Sequence, residues 1–428
     1  MKKGFASMRC ALLGEHLGHS FSPQIHAALT DYTYDLVERP RDEVEEFVKH
    51  GGYDCFNVTI PYKQTVIPFL DTISPEAERI GAVNTVVRDK DGTLHGYNTD
   101  YFGFSYMIDR LGLSVKGKKA IVLGRGGASH TACTVLRDRG VRELIVFGSR
   151  DNTLENLFPH TDTEIIVNAT PVGMFPHTGH TPVDLSLFPH CIAVLDMIYN
   201  PARPALLLDA EARGIPYING LSMLVAQAVK AFEFFTGDGS QFSMIETITA
   251  DIRKQTENII LIGMPGCGKS TVGQLLAQRM ERPFYDADEE FLKCFGVTPA
   301  QVIESKGEET FRKMEHEVLC ELGKQSGTVI VCGGGAVTRE TNYHPLHQNG
   351  VIVYLQRELS LLCTKGRPLS QTRTPEALYR ERKEKYEAFA DITVQSTEVP
   401  TQTAAVIQQG FELFLEPGTE NAHENFSH

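Results

Sequence analysis

The chain has 428 residues, 42% hydrophobic and 22% charged, and its formal charge of −13 comes from 41 Lys and Arg against 54 Asp and Glu. At roughly 150 residues per folding unit, this length implies about three units and more than one function. The composition is that of a globular protein with no window of roughly 20 apolar residues for a membrane span, and the acidic balance argues against nucleic-acid or anionic-membrane partners.

In chain order, the start "MKKGFASMRCALLGEHLG" carries an apolar run cut by Glu15 and His16, which is unlike a signal peptide, so the expected compartment is the cytoplasm. Strand-like runs then alternate with amphipathic, helix-like stretches: "RCALLG", "CFNVTI", "KAIVLG", "ELIVFG", "EIIVNAT", "CIAVLDMI", "NIILIG", "TVIVCGGG" and "VIVYL". That alternation predicts α/β units with parallel sheets. A helix ended by glycines at "FFTGDG", a second polar-backed helix and the fresh strand "IILIG" place one domain break near residue 257. The polar tail "EPGTENAHENFSH" predicts disorder. Nine cysteines lie scattered without a C-x-x-C pair, the pattern of reduced thiols rather than of a zinc site or disulfide framework.

Three stretches of the first half are polar beyond what a core demands. "GHSFSPQIH" carries Ser20 and Ser22, "NVTIPYK" carries Asn57, Thr59 and Lys63, and "GAVNTVV" with "GYNTDYFGF" supplies Asn84 and Asp100. Hydroxyls, amides, an amine and a carboxylate suit a small polyhydroxylated ligand, because buried hydrogen-bonding groups reject ligands that lack a partner. A lysine with a nearby carboxylate can move a proton. Taken singly, each Ser, Thr or Asn is more often a helix or turn cap.

Further along, "KAIVLGRGGASHTACTVLRDRG" reads as a strand, a glycine turn (Gly124, Arg125, Gly126, Gly127, Ala128) and a helix. The turn lets a pyrophosphate approach a helix N-terminus, although G-x-G-G is weaker than the full dinucleotide fingerprint. At the end of the next strand stand Ser149 and Arg150, where an acidic residue would take the ribose hydroxyls of NAD; this favours the 2′-phosphate of NADP, with Asp151 as a dissenting charge. Between Arg150 and Asn168 the chain is short for a crossover helix.

In the second half, "GMPGCGKST" satisfies G-x-x-x-x-G-K-S directly after a strand and before "TVGQLLAQRM". Gly266, Cys267, Gly268, Lys269, Ser270 and Thr271 form a loop whose N–H groups curl round the phosphates of a nucleotide, with Lys269 on the outer phosphates and Ser270 available to Mg²⁺. Downstream lie Asp286 and Asp288 in "FYDADEEF", Arg312 in "GEETFRKMEHEVL", Gly333, Gly334 and Gly335 in "VCGGGAV", Arg367 in "KGRPLS" and Arg382 in "ERKEKY". A lysine, a metal and arginines aimed at an anionic pair are what phosphoryl transfer requires.

That ordered series resembles shikimate kinases over nearly all of residues 258 to 416. The resemblance implies a small P-loop kinase with a lid: Asp288 binding and polarising the acceptor hydroxyl, Asp286 supporting Mg²⁺, Arg312 and Arg382 gripping the carboxylate, Gly333 to Gly335 lining the acceptor site and Arg367 closing over ATP. The lid segment is short for the family, and Glu384 and Lys385 stand where a proline usually precedes the tyrosine.

The first-half motifs, with "VNATPVGM", "DMIYNPARPALL" and "NGLSMLVAQAVKAFEFFTG", resemble shikimate dehydrogenases from about residue 8 to residue 252. The resemblance implies two α/β lobes with NADP in the second and Lys63 and Asp100 as the proton-exchanging pair. Ser20, Ser22, Thr59, Lys63, Asn84, Asp100, Tyr199 and Gln227 would hold the substrate. Asn168, Thr170 and Met174 would border the nicotinamide, with Gly220 and Met223 near it. Arg125 stands in place of a small residue, and Arg203 where a threonine is common.

The resulting expectation is an α/β chain made of a two-lobed dehydrogenase and a P-loop kinase with a parallel sheet. Residues 1–104 form the substrate lobe, 105–219 a Rossmann-like NADP lobe, 220–257 closing helices and linker, 258–416 the kinase domain and 417–428 a disordered tail. Its reactions would be reduction of 3-dehydroshikimate with NADPH and phosphorylation of shikimate with MgATP. The alternatives are an active kinase behind a dehydrogenase-like module that only binds ligand or dimerises, or a quinate and NAD specificity. Oligomeric state is not legible in the sequence.

Overall fold

The computed structural model of the chain describes residues 4–18, 20–362, 374–417 and 424–426. It divides into two compact units. The first comprises Met1–Val172, Thr181–Tyr199 and Asp209–Thr249, and the second Gly173–His180, Asn200–Leu208 and Ala250–His428.

The first unit holds two sheets. Strands β1 (Arg9–Gly14), β2 (Thr33–Glu38), β3 (Cys55–Val58), β4 (Thr72–Ile73), β5 (Thr85–Arg88) and β6 (Leu94–Tyr97) are ordered β2-β1-β3-β5-β6-β4. β1, β2 and β3 run parallel, whereas β5 is antiparallel to both β3 and β6, so this sheet is mixed. The turn into β5 carries Asn84, and the exit from β6 leads into the helix Asp100–Arg110; the antiparallel excursion thus brings both residues to the edge where β1 and β3 end. Strands β7 (Lys119–Leu123), β8 (Glu143–Phe147), β9 (Ile165–Asn168), β10 (Ala193–Asp196) and β11 (Tyr217–Ile218) form an all-parallel sheet ordered β11-β10-β9-β7-β8, a doubly wound order that reverses between β7 and β9. The crossover from β8 to β9 is as short as the sequence implies: one helical turn, Leu154–Leu157, and a 3₁₀ turn, Phe158–His160.

The second unit is one parallel sheet. β12 (Asn258–Ile262), β13 (Phe284–Asp286), β14 (Val329–Val331), β15 (Gly350–Gln356), β16 (Ile392–Gln395) and β17 (Glu424–Phe426) are ordered β13-β14-β12-β15-β16-β17. These strands read as unbroken apolar runs because both faces are covered. Ile260, Ile262, Ile330, Ile352 and Tyr354 enter the core on one face, while Ile259, Leu261, Val329, Val351 and Val353 enter the other. β12 lies at the centre, so the loop that follows it opens at the middle of the sheet edge.

Three expectations are corrected. The break falls at Thr249–Ala250, inside the helix Met244–Thr256, because the end of that helix is tied to the second unit: Arg282 Nη1 donates to the Glu257 carbonyl at 2.8 Å and Ser326 Oγ to the Thr256 carbonyl at 2.9 Å. Residues 200–208 also belong to the second unit rather than wholly to the Rossmann lobe. Their Arg203 is buried there, donating to the carbonyls of His347 (2.9 Å) and Gly350 (2.7 Å) and standing 3.5 Å from Glu257. The tail expected to be disordered contains β17, paired in parallel with β16 through Ile392 and Glu424.

Candidate active sites

In the first unit the sequence-predicted polar residues converge. Ser20, Ser22, Thr59, Lys63, Asn84, Asp100, Tyr199 and Gln227 all line one cavity of about 400 Å³, together with Asn57, His16, Met197 and Met223. Lys63 Nζ donates to Asp100 Oδ2 at 2.6 Å. Both side chains remain partly exposed to the cavity, at 26% and 15%, so the pair can exchange a proton with a ligand. Asp100 stands in the first turn of the helix Asp100–Arg110.

The amides are held by a buried network. Asn57 Nδ2 donates to Thr85 Oγ1 at 3.0 Å and to the Asn84 carbonyl at 3.2 Å, while its Oδ1 accepts from the Tyr34 hydroxyl at 2.7 Å. Asn84 Oδ1 accepts from the Thr99 backbone N–H at 2.7 Å, and Thr99 Oγ1 donates to Gln227 Oε1 at 3.2 Å. These bonds fix which amide atom faces the cavity, so the orientation exists before a ligand arrives. Tyr34 and Thr99 carried no signal in the sequence; their part follows from packing beneath the cavity floor.

Around the glycine turn, Gly124 has φ +112°, and a Cβ there would stand 2.7 Å from the Ala169 carbonyl, so the turn excludes other residues. Nothing lies within 4 Å of a Cβ at Gly126 or Gly127, which leaves the backbone open to a pyrophosphate at the start of the helix Gly127–Asp138. Ser149 and Arg150 are exposed at the end of β8, which the Gly124 N–H joins by donating to the Phe147 carbonyl at 2.7 Å. The dissenting Asp151 is paired with Arg125, so its charge is neutralised by the residue that departs from the family pattern. Ala128 and Gly220 line the cavity.

Asn168 is placed differently. Its amide is buried and bonded to both oxygens of Asp196 (3.0 and 3.1 Å), and its Oδ1 accepts from Thr170 Oγ1 at 2.7 Å. Its amide is therefore engaged within the protein, and it is not among the residues that line the cavity. Asp196, which the sequence reading did not single out, is pushed up to about 7 by burial, against the lowering effect of the Ile198 N–H and Asn168. Met174 is half-exposed and lies in the segment 173–180 that folds with the second unit.

In the second unit the phosphate loop follows β12. Gly268, at φ +102°, caps the helix Lys269–Arg279, a conformation that L side chains rarely adopt. Lys269 Nζ is turned back onto the carbonyls of Gly263 (2.8 Å) and Met264 (3.1 Å). Ser270 Oγ donates to Asp286 Oδ2 at 2.8 Å, so the hydroxyl and carboxylate expected to share Mg²⁺ are adjacent. Asp286 Oδ1 also accepts from the Asp288 N–H at 3.0 Å, which caps the helix Ala287–Phe295.

The residues expected at the acceptor meet one another. Gly333 lies against Glu315 and Asp288, and Gly335 against the Arg312 guanidinium. Arg382 Nη1 donates to the Gly334 carbonyl at 3.0 Å, as does the Tyr386 hydroxyl. Arg312 is buried between Glu315 (2.7 Å) and Glu308 (3.1 Å). Burial pushes the Glu315 carboxyl up despite the neighbouring guanidinium, and one of its oxygens, with the Nε atoms of Arg312 and Arg382, has no hydrogen-bond partner among the described residues. Both Nε atoms are thus buried donors that the surrounding protein leaves over. Glu315 was not anticipated, although its spacing of three from Arg312 on a helix is the pattern that pairs them. Arg367 lies outside the described residues.

Comparisons with known proteins bear on both units. Residues 12–86 match the shikimate dehydrogenase substrate binding domain, and residues 265–412 match the shikimate kinase family. The shikimate dehydrogenase (NADP(+)) of Caldanaerobacter subterraneus subsp. tengcongensis is 35% identical over 255 residues, covering 53% of this chain and 91% of that protein. The one from Clostridium perfringens strain SM101 is 36% identical over 265 residues, covering 56% and 97%. Among solved structures, the chorismate mutase/shikimate 5-dehydrogenase fusion of Clostridium acetobutylicum is 31% identical with a TM-score of 0.53, covering 58% of this chain and 97% of that one. Shikimate 5-dehydrogenase of Thermus thermophilus, solved with NADP(H) and shikimate, is 32% identical with a TM-score of 0.50, covering 56% and 99%. The chain therefore belongs to the shikimate dehydrogenase family and carries, after that part, a shikimate kinase domain.

Proposed function

We propose that the chain catalyses two consecutive reactions: reduction of 3-dehydroshikimate to shikimate with NADPH, then phosphorylation of shikimate to shikimate 3-phosphate with ATP and Mg²⁺. When bound, NADPH supplies a hydride and MgATP a phosphoryl group. The observation that carries the first reading is the Lys63–Asp100 pair at 2.6 Å inside the cavity lined by every residue expected to hold the acid. In the reduction, Lys63 gives a proton to the carbonyl oxygen as its carbon becomes C–H, and Asp100 keeps the ammonium group aimed and stabilised. Ser20, Ser22, Thr59, Asn84, Tyr199 and Gln227 hold the ring substituents. The open faces of Gly126 and Gly127 suit the cofactor pyrophosphate, with Arg125, Ser149 and Arg150 at its 2′-phosphate.

For the second reaction Lys269 would bind the outer phosphates of ATP, and Ser270 with Asp286 would hold the metal. Asp288 accepts the hydrogen of the attacking hydroxyl, while Arg312 and Arg382 bind the carboxylate through their spare donors. The domains follow: 1–104 and 105–219 as the dehydrogenase lobes, closed by 220–257, and the kinase in 258–416, adjusted by the segments that fold with the second unit. Among the described residues no helix is long and apolar enough to cross a membrane. With the charge of −13 this supports a cytoplasmic enzyme of small metabolites without a nucleic-acid or membrane partner.

The test is NADPH absorbance with 3-dehydroshikimate beside ATP consumption with shikimate. Both signals are expected; a silent absorbance trace with intact ATP consumption would reduce the first unit to a binding module.

A further inference from the structure

A second cavity of the first unit, about 330 Å³, meets the groups proposed for the two reactions only at Arg125. Arg79 enters it from the helix Pro75–Ile80, Arg125 from the glycine turn, and His130, Thr134 and Arg137 from the helix Gly127–Asp138. Two carboxylates stand near: Asp138 accepts from Arg79 at 2.9 Å and from the Tyr101 hydroxyl, and Asp151 is paired with Arg125. Among the described residues neither the Arg137 side chain nor the His130 ring has a hydrogen-bond or ion-pair partner.

Three guanidinium groups around one hollow are out of keeping with a chain of net charge −13. Guanidinium forks bond two oxygens at once, and their fixed planarity suits phosphate better than a point charge does. The Thr134 hydroxyl already donates to the His130 carbonyl at 2.9 Å, which leaves its lone pairs toward a ligand hydroxyl. The hollow is at the small end of the range for ligand pockets, the size of a single substituted ring. It shares neither Ala128 nor Gly220 with the large cavity, and only Arg125 links it to the cofactor turn.

We propose that this cavity is a binding site for a small phosphorylated carboxylic acid, and that its occupant is the shikimate 3-phosphate made by the second unit. The site would let the first unit sense the product of the pair of reactions. The class of ligand rests on the arginines; its identity rests on the proposed second reaction.

The test is calorimetric titration of the full chain, saturated with NADP⁺, with shikimate 3-phosphate, for the wild type and for Arg79→Gln/Arg137→Gln. Two equivalents are expected for the wild type, one at the kinase site and one here, and one for the variant, with the second site weakened at least tenfold. Both arginines are exposed, and unchanged NADP⁺ binding and ATP turnover report that the variant is folded. One equivalent falling to none would keep this site and sink the second reaction. An equal number in both proteins would overturn the proposal. So would a second equivalent that appears only without NADP⁺, or a variant that loses NADP⁺ binding, since the arginines would then serve the cofactor.

Discussion

The two units hold their reacting groups in opposite ways. In the first, neutral amides and hydroxyls are locked by one another around a single half-open ion pair, Lys63–Asp100. In the second, charges are buried together: Arg312 with Glu315, and Arg382 against a carbonyl, its Nε making no hydrogen bond. A reduction moves one proton and discriminates by hydroxyl pattern, so it needs a poised acid and fixed neutral donors. Phosphoryl transfer between anions is a problem of charge, so it needs cations kept dry and aimed.

The sharpest way to break this contrast is to remove each lysine. Lys63→Ala is expected to lower the reduction rate by about 10²–10⁴ and leave phosphorylation near normal, and Lys269→Ala to do the reverse, as read by kcat for each reaction. A loss of both activities in a folded variant would contradict separate sites.

Next comes the buried charge. Arg312→Ala leaves Glu315 without its guanidinium and is expected to destabilise the second unit by about 3–5 kcal/mol as well as to stop phosphorylation. Adding Glu315→Gln should restore most of the stability and none of the activity. Denaturant melts beside ATP consumption separate the two effects.

A titration distinguishes the units further. Folded Asp196 keeps its proton up to about pH 7, whereas the unfolded chain releases it near pH 4, so this group's contribution falls as pH rises between those limits and is flat above them. His26, lowered to about 3 by burial, works in the opposite sense between about pH 3 and 6.5. Comparison of Asp196→Asn with the wild type isolates the first: relative to the wild type, the variant should gain stability with pH through that window, by an amount on the order of 4 kcal/mol at pH 8. Equal pH profiles for the two proteins would show that Asp196 is not buried as described. Smaller still is the effect at the cofactor's phosphate: Arg150→Ala should raise the KM for NADPH about tenfold and leave that for NADH unchanged.

Much of this was legible in the sequence because local motifs fix local geometry. The phosphate loop follows its strand, and the first unit's polar stretches fall at strand exits, so they meet at one edge once the strands pair. Tyr34, Thr99 and Asp196 were silent because their partners are distant in the chain, 23, 128 and 28 residues away for the Tyr34–Asn57, Thr99–Gln227 and Asn168–Asp196 contacts. Asn168 reads as a cofactor neighbour in the motif "VNATPVGM", yet the buried carboxylate of Asp196 claims its amide. The position of residues 200–208 was hidden for the same reason: Arg203 looks like a surface charge until its carbonyl partners, more than 140 positions later, are in place.

The most direct measurement is one vessel containing the full chain, 3-dehydroshikimate, NADPH and MgATP. Shikimate 3-phosphate is expected to accumulate with one NADPH oxidised and one ADP formed per molecule. NADPH oxidation that ends at shikimate, or ADP formation only when shikimate is added from outside, would contradict two working sites for the same acid on one chain.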